Sequence, residues 1–353
     1  MSDLVTPYRT YKRSILIWLF SGCFLVFGMV VVGGITRLTG SGLSITEWKV
    51  VTGAIPPLNE AQWTAEFEKY KQIPQYQLIN SHFTLEDFKF IFFWEYIHRL
   101  FGRMIGVVFM AGLIYFLVKK AIPKHLLPKL LFMFVLGGIQ GFLGWYMVSS
   151  GLTQNIRVSH IRLAIHLTFA FITFGYIFSV ALGEIYSERS TNGAALENYR
   201  SAAIALLVLV TVQIIYGAFV AGTKAGMIYN TWPTMQGEWM AESVSFTWQQ
   251  DGWSSLVNSL ATVQFIHRNI AYLITIFVGV LGFKILRTEG VTTGQQTAVK
   301  ILGTGIVLQV VLGITTLLLQ VPLWLGVLHQ AVAFFLFAGC IYLLHRLRYS
   351  LPA

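Results

Sequence analysis

The sequence predicts an all-α integral membrane protein with eight transmembrane helices, and two observations lead to this prediction. First, the 353 residues are 55% hydrophobic and only 11% charged, whereas an ordinary soluble domain is about a quarter charged. Second, the apolar residues form eight stretches, each close to the roughly 20 residues with which a helix crosses a bilayer. The stretches are approximately 15–35, 90–118, 127–148, 161–183, 201–221, 263–286, 299–320 and 324–345.

The first stretch is expected to remain in the protein as a helix. Basic residues precede it, but no small-residue cleavage site follows it, so it does not resemble a secretory signal peptide. The 13 residues before it are too short and too poor in Ser for a mitochondrial transit peptide. A bacterial plasma (inner) membrane is the expected location.

Basic residues in alternate loops predict the orientation of the eight helices. They precede the first helix and follow the second, fourth, sixth and eighth: Arg9, Lys12, Arg13, Lys119, Lys120, Lys124, Arg189, Arg200, Lys284, Arg287, Lys300, Arg346 and Arg348. By the positive-inside rule both termini are cytoplasmic. The outer loops are then 36–89, 149–160, 222–262 and a short one near Val321. The same pattern accounts for the net charge of +10 without a nucleic-acid partner.

An internal repeat places four predicted helices in each half of the chain. Four residues recur 184 positions later: Gly33, Thr39, Gly42 and Trp48 become Gly217, Thr223, Gly226 and Trp232. An offset of 169 carries His98, Arg99, Gln140 and Gly144 onto His267, Arg268, Gln309 and Gly313. The repeat predicts two tandem four-helix bundles, 1–190 and 191–353, related by a pseudo-twofold axis along the membrane normal. The Gly-rich segments ending at Trp48 and Trp232 are interpreted as lids.

Four histidines lie at equivalent places in the repeat, near the outer ends of the even-numbered helices: His98, His166, His267 and His329. The other four lie in or beside loops and are assigned no function: His82, His125, His160 and His345. A membrane-embedded histidine can simply bond a neighbouring helix, but four at equivalent places indicate ligands. Two facing imidazoles form an axial pair for haem iron. The predicted pairs are His98 with His166, and His267 with His329.

Glu95 distinguishes the two halves, because Gln264 occupies its place in the second. A carboxylate in one site and an amide in the other suggest one reactive centre and one electron-transfer or structural centre. Glu95 could instead form an ion pair with Arg99 one turn later, or complete a 2-His-1-carboxylate iron site with the histidines. A closed zinc site would want four nitrogen or sulfur ligands. Arg99 and Arg268 are candidates for pairing with haem propionates.

Long motifs in the outer loops and even-numbered helices can be compared with known families. They are GGITRLTGSGLSITEWKVVTGAIPP at 33–57, FFWEYIHRLFGR at 92–103, AGMIYNTWP at 225–233 and VQFIHR at 263–268. Together they resemble the Cox15/CtaA family of haem A synthases over essentially the whole chain. Some members of that family carry a cysteine pair in an outer loop. The two cysteines here, Cys23 and Cys340, lie in predicted helices, so a redox role for loop cysteines cannot apply.

The resemblance implies oxidation of the position-8 methyl of haem O to a formyl group, giving haem A for cytochrome oxidase assembly. It implies that His98 and His166 take the haem O substrate, that His267 and His329 hold a haem b cofactor, and that Glu95 is the essential glutamate. The expected partners are a haem O synthase, an electron-transfer partner and membrane lipid. A homo-oligomer is compatible with the sequence.

Two other functions fit part of the pattern. A non-catalytic di-haem b-type cytochrome would transfer electrons from quinol, but its haems usually lie near both membrane faces, whereas the four histidines are predicted at the outer side. A transporter built from parallel repeats would show broken helices and polar groups near the midplane.

Overall fold

The computed structural model describes residues 7–48, 52–153, 157–186, 188–189 and 193–350. Within these residues the chain forms eleven α-helices: α1 (Pro7–Leu38), α2 (Glu60–Tyr70), α3 (Leu85–Val118), α4 (Leu127–Thr153), α5 (His160–Ile185), α6 (Gly193–Thr223), α7 (Glu242–Asp251), α8 (Ser255–Asn258), α9 (Leu260–Arg287), α10 (Thr293–Leu318) and α11 (Leu323–Arg346). Eight of them are long and apolar enough to cross a membrane, namely α1, α3, α4, α5, α6, α9, α10 and α11. The predicted all-α, multi-pass membrane fold is therefore confirmed.

The first compact unit covers residues 1–174. In it α1 packs along α3, and α3 also contacts α2 and α4. Apolar side chains from α2, α3, α4 and the connecting segments form one core cluster: Leu43, Phe67, Tyr70, Ile73, Phe88, Ile91, Phe92 and Val148. This cluster lies near the N-terminal end of α3 and the C-terminal end of α4, close in the chain to Glu95.

The second compact unit covers residues 175–353. Its four long helices close a ring, because α6 contacts α9 and α11, and α10 contacts the same two helices. Two short strands, β1 (Glu188–Arg189) and β2 (Tyr349–Ser350), pair antiparallel after α5 and α11. The boundary predicted between residues 190 and 191 falls outside the described residues, and the pseudo-twofold relation between the halves stays a prediction.

Several long helices begin earlier than predicted, and in α3 and α10 a pair of polar residues caps the early start. Helix α3 begins at Leu85 rather than 90, since the hydroxyl of Thr84 accepts the Asp87 N–H while the Asp87 carboxylate accepts the Thr84 N–H. Thr292 and Gln295 form the same reciprocal pair before α10. These capping boxes satisfy N–H groups that the first turn leaves without partners. Helix α10 also ends at Leu318, two residues early.

Two segments predicted only as outer loops contain helices. Helix α2 is capped by Asn59, whose side chain accepts the Gln62 N–H, and it buries Phe67 and Tyr70 on one face. Their three-residue spacing places both on the same side of a helix. Helix α7 and the single turn α8 lie in the third predicted outer loop. Parts of the first two predicted loops, 49–51 and 154–156, lie outside the described residues.

Candidate haem-binding sites

The four predicted ligand histidines lie on four different long helices. His98 on α3 and His166 on α5 belong to the first unit and are close enough to interact electrostatically. His267 on α9 and His329 on α11 have the same relation in the second unit. Each predicted pair is thus brought together within its own unit.

A glycine on the adjacent helix makes room for each of these imidazole rings. A Cβ built on Gly33 of α1 would lie 3.0 Å from Cε1 of His98, and one built on Gly217 of α6 would lie 3.3 Å from Cε1 of His267. The same contact pairs Gly144 with His166 at 3.3 Å and Gly313 with His329 at 3.0 Å. Small residues let membrane helices approach closely. The repeated glycines therefore cradle the repeated histidines.

The ring nitrogens of the four histidines are suited to a ligand. Nδ1 of His98, His166, His267 and His329 is buried without a hydrogen-bond partner in the described structure. Leaving a buried polar atom unsatisfied costs about 1–3 kcal/mol, so four equivalent cases point to something these rings bind. Paired imidazoles with free ring nitrogens in glycine-lined niches fit axial ligation of haem.

A glutamine side chain lies beside three of the four histidines, but its contacts differ between the two units. In the second unit, Nε2 of Gln213 lies 3.4 Å from Nε2 of His267, and Nε2 of Gln309 lies 3.3 Å from Nε2 of His329. In the first unit, Gln140 donates to the backbone carbonyl of His166 at 3.2 Å, a bond that Gln213 also makes to the carbonyl of His267 at 3.0 Å. Gln213 was not predicted as a site residue, because Met29 stands at the equivalent place in the first half.

The other metal sites considered from the sequence are not formed in the described part of the chain. No three His, Cys, Asp or Glu side chains there come together as a metal-ion site. This applies both to a closed zinc site and to an iron site made of two histidines and Glu95.

Glu95 is only 3% exposed and accepts three hydrogen bonds. Its Oε2 accepts the Ser44 hydroxyl at 2.7 Å and the Ile45 N–H at 2.9 Å. Its Oε1 accepts Nη2 of Arg99 at 2.7 Å, which is the ion pair to the residue one turn later. The carboxylate thus binds both its own helix and the segment that follows α1.

Arg99 ties this segment to α3. Its guanidinium donates to the carbonyls of Ile45 and Glu47, each at 3.0 Å, and lies 4.8 Å from the centre of the Trp48 ring. A planar guanidinium can make several such bonds at once. Arg99 therefore holds the predicted lid of the first half on the helix that carries His98.

Arg268 makes the equivalent attachment in the second unit. It donates to the carbonyls of Tyr229 and Thr231, which correspond to Ile45 and Glu47 in the repeat, and also to Thr234. Gln264 donates to the Tyr229 carbonyl at 3.1 Å. In both halves an arginine on a long helix bonds the carbonyls of a loop, a contact that we term an arginine latch. The halves differ in the side chain one turn before the arginine, which is Glu95 in the first half and Gln264 in the second.

Helix α2 holds the other side of the first segment. Nζ of Lys69 lies 3.2 Å from Glu47, and its hydrogen bond to Glu66 raises the pKa of Lys69. Tyr70 donates to Gln75, whose amide donates to the Gly40 carbonyl at 3.1 Å. Burial raises the pKa of Tyr70 to about 12. The segment is therefore fixed between α2 and α3.

Comparison with known proteins places this architecture among oxidase assembly factors. The family model COX15-CtaA, described as a cytochrome oxidase assembly protein, matches residues 16–341. A protein named "Heme A synthase" from Flavobacterium psychrophilum is 49% identical over 339 residues, which cover 95% of this chain and 98% of that protein. Another with that name, from Rhodospirillum centenum, is 47% identical over 350 residues, covering 99% of this chain and 92% of that protein.

Proposed function

The chain belongs to the COX15-CtaA family of cytochrome oxidase assembly proteins, and we propose that it is a haem A synthase, which oxidises the position-8 methyl of haem O to the formyl group of haem A. One observation carries the assignment of sites. Both histidine pairs have the same glycine cradles, but among the residues that the structure describes, only the pair of His98 and His166 is accompanied by a buried carboxylate, Glu95.

The proposed division of labour gives each half one haem. His98 and His166 hold the haem O substrate beside Glu95, while His267 and His329 hold haem b. Bound there, haem b supplies one-electron transfer. The amides of Gln213 and Gln309 support a different role for the second pair, because their Nε2 atoms lie 3.4 Å and 3.3 Å from the Nε2 atoms of His267 and His329.

Glu95 is proposed to accept a proton during the oxidation. Converting a methyl into a formyl group breaks two C–H bonds and adds an oxygen atom from water or dioxygen, so hydrogen must leave the substrate carbon. Oε2 of Glu95 already accepts two hydrogen bonds, whereas Oε1 accepts one. A carboxylate offers about four lone-pair sites in all, so Oε1 keeps capacity for a proton.

The two arginines are proposed to contact haem propionates. Nε of Arg268 is buried without a partner, and a guanidinium has five N–H donors. The described bonds of Arg99 use three of them. Each arginine can therefore hold its loop and still bond a carboxylate.

The proposed setting is the bacterial inner membrane, with both termini in the cytoplasm and the haem sites near the outer face. A haem O synthase supplies the substrate, and an electron-transfer partner exchanges electrons with the protein. The positions of Lys and Arg in alternate loops support this orientation.

The test is the haem content of the protein purified from cells that also make haem O. The haems are extracted in acid and separated by chromatography. The wild type is expected to yield haem A with haem b, while Glu95→Gln is expected to yield haem O and haem b without haem A. Glu86→Gln is the matched control, because Glu86 is an exposed carboxylate in the first turn of the same helix.

Two results would reject the proposal. Haem b alone in the wild type and in both variants would indicate a b-type cytochrome. A protein without haem would reject the histidine pairs as ligands.

A further inference from the structure

Ser44 is a buried hydroxyl that touches the proposed catalytic carboxylate. The residue is 1% exposed, and its Oγ donates to Oε2 of Glu95 at 2.7 Å. The next residue, Ile45, donates its backbone N–H to the same oxygen at 2.9 Å. Two neighbouring donors of one loop thus occupy Oε2 and leave Oε1 to Arg99.

The second half lacks both members of this contact. The repeat places Ile228 at the position of Ser44, and Gln264 at the position of Glu95. Gln264 donates to the Tyr229 carbonyl there, so the hydrogen bond runs from helix to loop instead of from loop to helix. The hydroxyl and the carboxylate occur together in the first half.

The loop that delivers Ser44 is anchored independently of the hydroxyl. Leu43 is 1% exposed in the apolar core of the first unit. The Ser44 N–H donates to the Ser41 carbonyl, and Arg99 holds the carbonyls of Ile45 and Glu47. Removing Oγ of Ser44 therefore takes one donor from Glu95 and leaves the anchors of the loop in place.

We propose that Ser44 is a positioning residue for the oxidation of haem O, which fixes the plane of the Glu95 carboxylate and so keeps Oε1 as the oxygen that can accept a proton. The proposal rests on the proposed haem A synthase function. A side-chain carboxylate rotates easily about its last bond, and two donors on one oxygen fix that rotation. Hydrogen bonds to charged groups contribute about 1.5–3 kcal/mol, so the hydroxyl is strong enough to hold it.

The experiment compares three variants of the full chain in cells that make haem O. Ser44→Ala removes the hydroxyl, and Ser44→Thr restores one. Ser41→Ala is the matched control, because Ser41 is a fully buried serine of the same loop whose hydroxyl bonds Thr39 instead of Glu95. Two quantities are measured per chain: the sum of haem O and haem A, and the rate at which haem A forms after haem O becomes available.

Ser44→Ala is expected to form haem A at least about tenfold more slowly, which corresponds to the lower end of the energy range for a charged hydrogen bond. The sum of haem O and haem A should stay at the wild-type level, since no ligand histidine is touched. Ser44→Thr is expected to recover most of the rate, and Ser41→Ala to match the wild type.

Two outcomes would overturn this role for Ser44 while leaving the synthase assignment intact. One is that the unmodified protein makes haem A and Ser44→Ala makes it at the same rate. The other is a Ser44→Ala protein that loses total haem or does not elute as one species, since the loop is then supported by the hydroxyl itself. A wild type without haem A rejects the proposed function instead.

Discussion

The absence of a side chain at Gly33 and Gly217 leaves the space that the rings of His98 and His267 occupy. Each glycine lies where any Cβ would press on the Cε1 atom of a predicted ligand histidine. The sequence showed that these glycines recur, but their contact with the histidines follows only from the packing of the helices. A glycine inside a membrane helix has several possible reasons, and the structure identifies this one.

Gly33→Val is expected to disrupt the haem site of the first half, and Gly217→Val that of the second. A branched side chain at Gly33 displaces His98 and should reduce haem O plus haem A several-fold, with haem b unchanged. Gly217→Val should reduce haem b and spare the first site's ligands. Chromatography of the extracted haems measures both.

Gly22→Val serves as the control, because Gly22 lies in α1 like Gly33, and a Cβ there meets no atom within 4 Å. Equal losses of all haems in both glycine variants would contradict the separate cradles.

The residues of the site differ in how far the sequence could predict them. The four histidines, Glu95 and the ion pair with Arg99 follow from helical spacing and from the repeat. The contact of Ser44 with Glu95 joins residues 51 positions apart. It depends on the path of a loop, for which no local pattern exists.

At the scale of structural elements, Arg99 and Arg268 attach equivalent loops to equivalent helices. The side chain beside the arginine is a carboxylate in the first half and an amide in the second. Gln264→Glu is expected to weaken the second latch. It places a carboxylate against the Tyr229 carbonyl, where Ile228 offers no hydroxyl donor. The loss of the amide donor should lower the free energy of unfolding by about 1–3 kcal/mol.

Thermal unfolding in detergent measures this effect. The melting temperature of the double variant Ile228→Ser/Gln264→Glu should lie between those of Gln264→Glu and the wild type, because the new serine supplies a donor. A single variant that melts with the wild type would show that the amide bond adds nothing to stability.

The capping boxes before α3 and α10 are expected to act locally. Thr84→Ala removes the cap of α3, and such a change costs about 0.5–2 kcal/mol. Amides in the first turn of α3 should then exchange hydrogen about two- to thirtyfold faster, which is the same energy range expressed as a ratio of rates. Thr292→Ala should have the same effect at the start of α10 only, so each variant controls for the other. Faster exchange at both helices in either variant would contradict local capping.

The boundaries of the elements were less predictable than their number. Hydropathy reports where a helix is apolar, so it missed the polar first turns that Thr84 and Thr292 cap. It also missed α2 and α7, because these helices have only 11 and 10 residues and contain many polar side chains. The T-x-x-D and T-x-x-Q patterns were present in the sequence and could have indicated the two helix starts.

At the scale of the whole molecule, each half uses the same parts: a glycine for each histidine, and an arginine that holds a loop. The repeat predicted the equivalent histidines and loops, whereas the contacts of the glycines and of the arginines follow from the packing of the helices. The pseudo-twofold relation between the halves stays a prediction.

The orientation of the chain can be tested with introduced cysteines. Cys23 and Cys340 are both buried, so they should contribute little labelling. Asp251→Cys, in the third predicted outer loop, should react with a membrane-impermeant maleimide in intact cells. Glu289→Cys, in the loop between α9 and α10, should react only after the membrane is opened. The reverse pattern would place the histidine pairs at the cytoplasmic side.

The measurement that most directly tests the account is the identity of the haem lost when each ligand histidine is replaced by alanine. Replacing His98 or His166 should remove haem O and haem A while about one haem b per chain remains. Replacing His267 or His329 should remove haem b. Loss of haem b from a His98 variant, with haem O still bound, would contradict the assignment of the two sites.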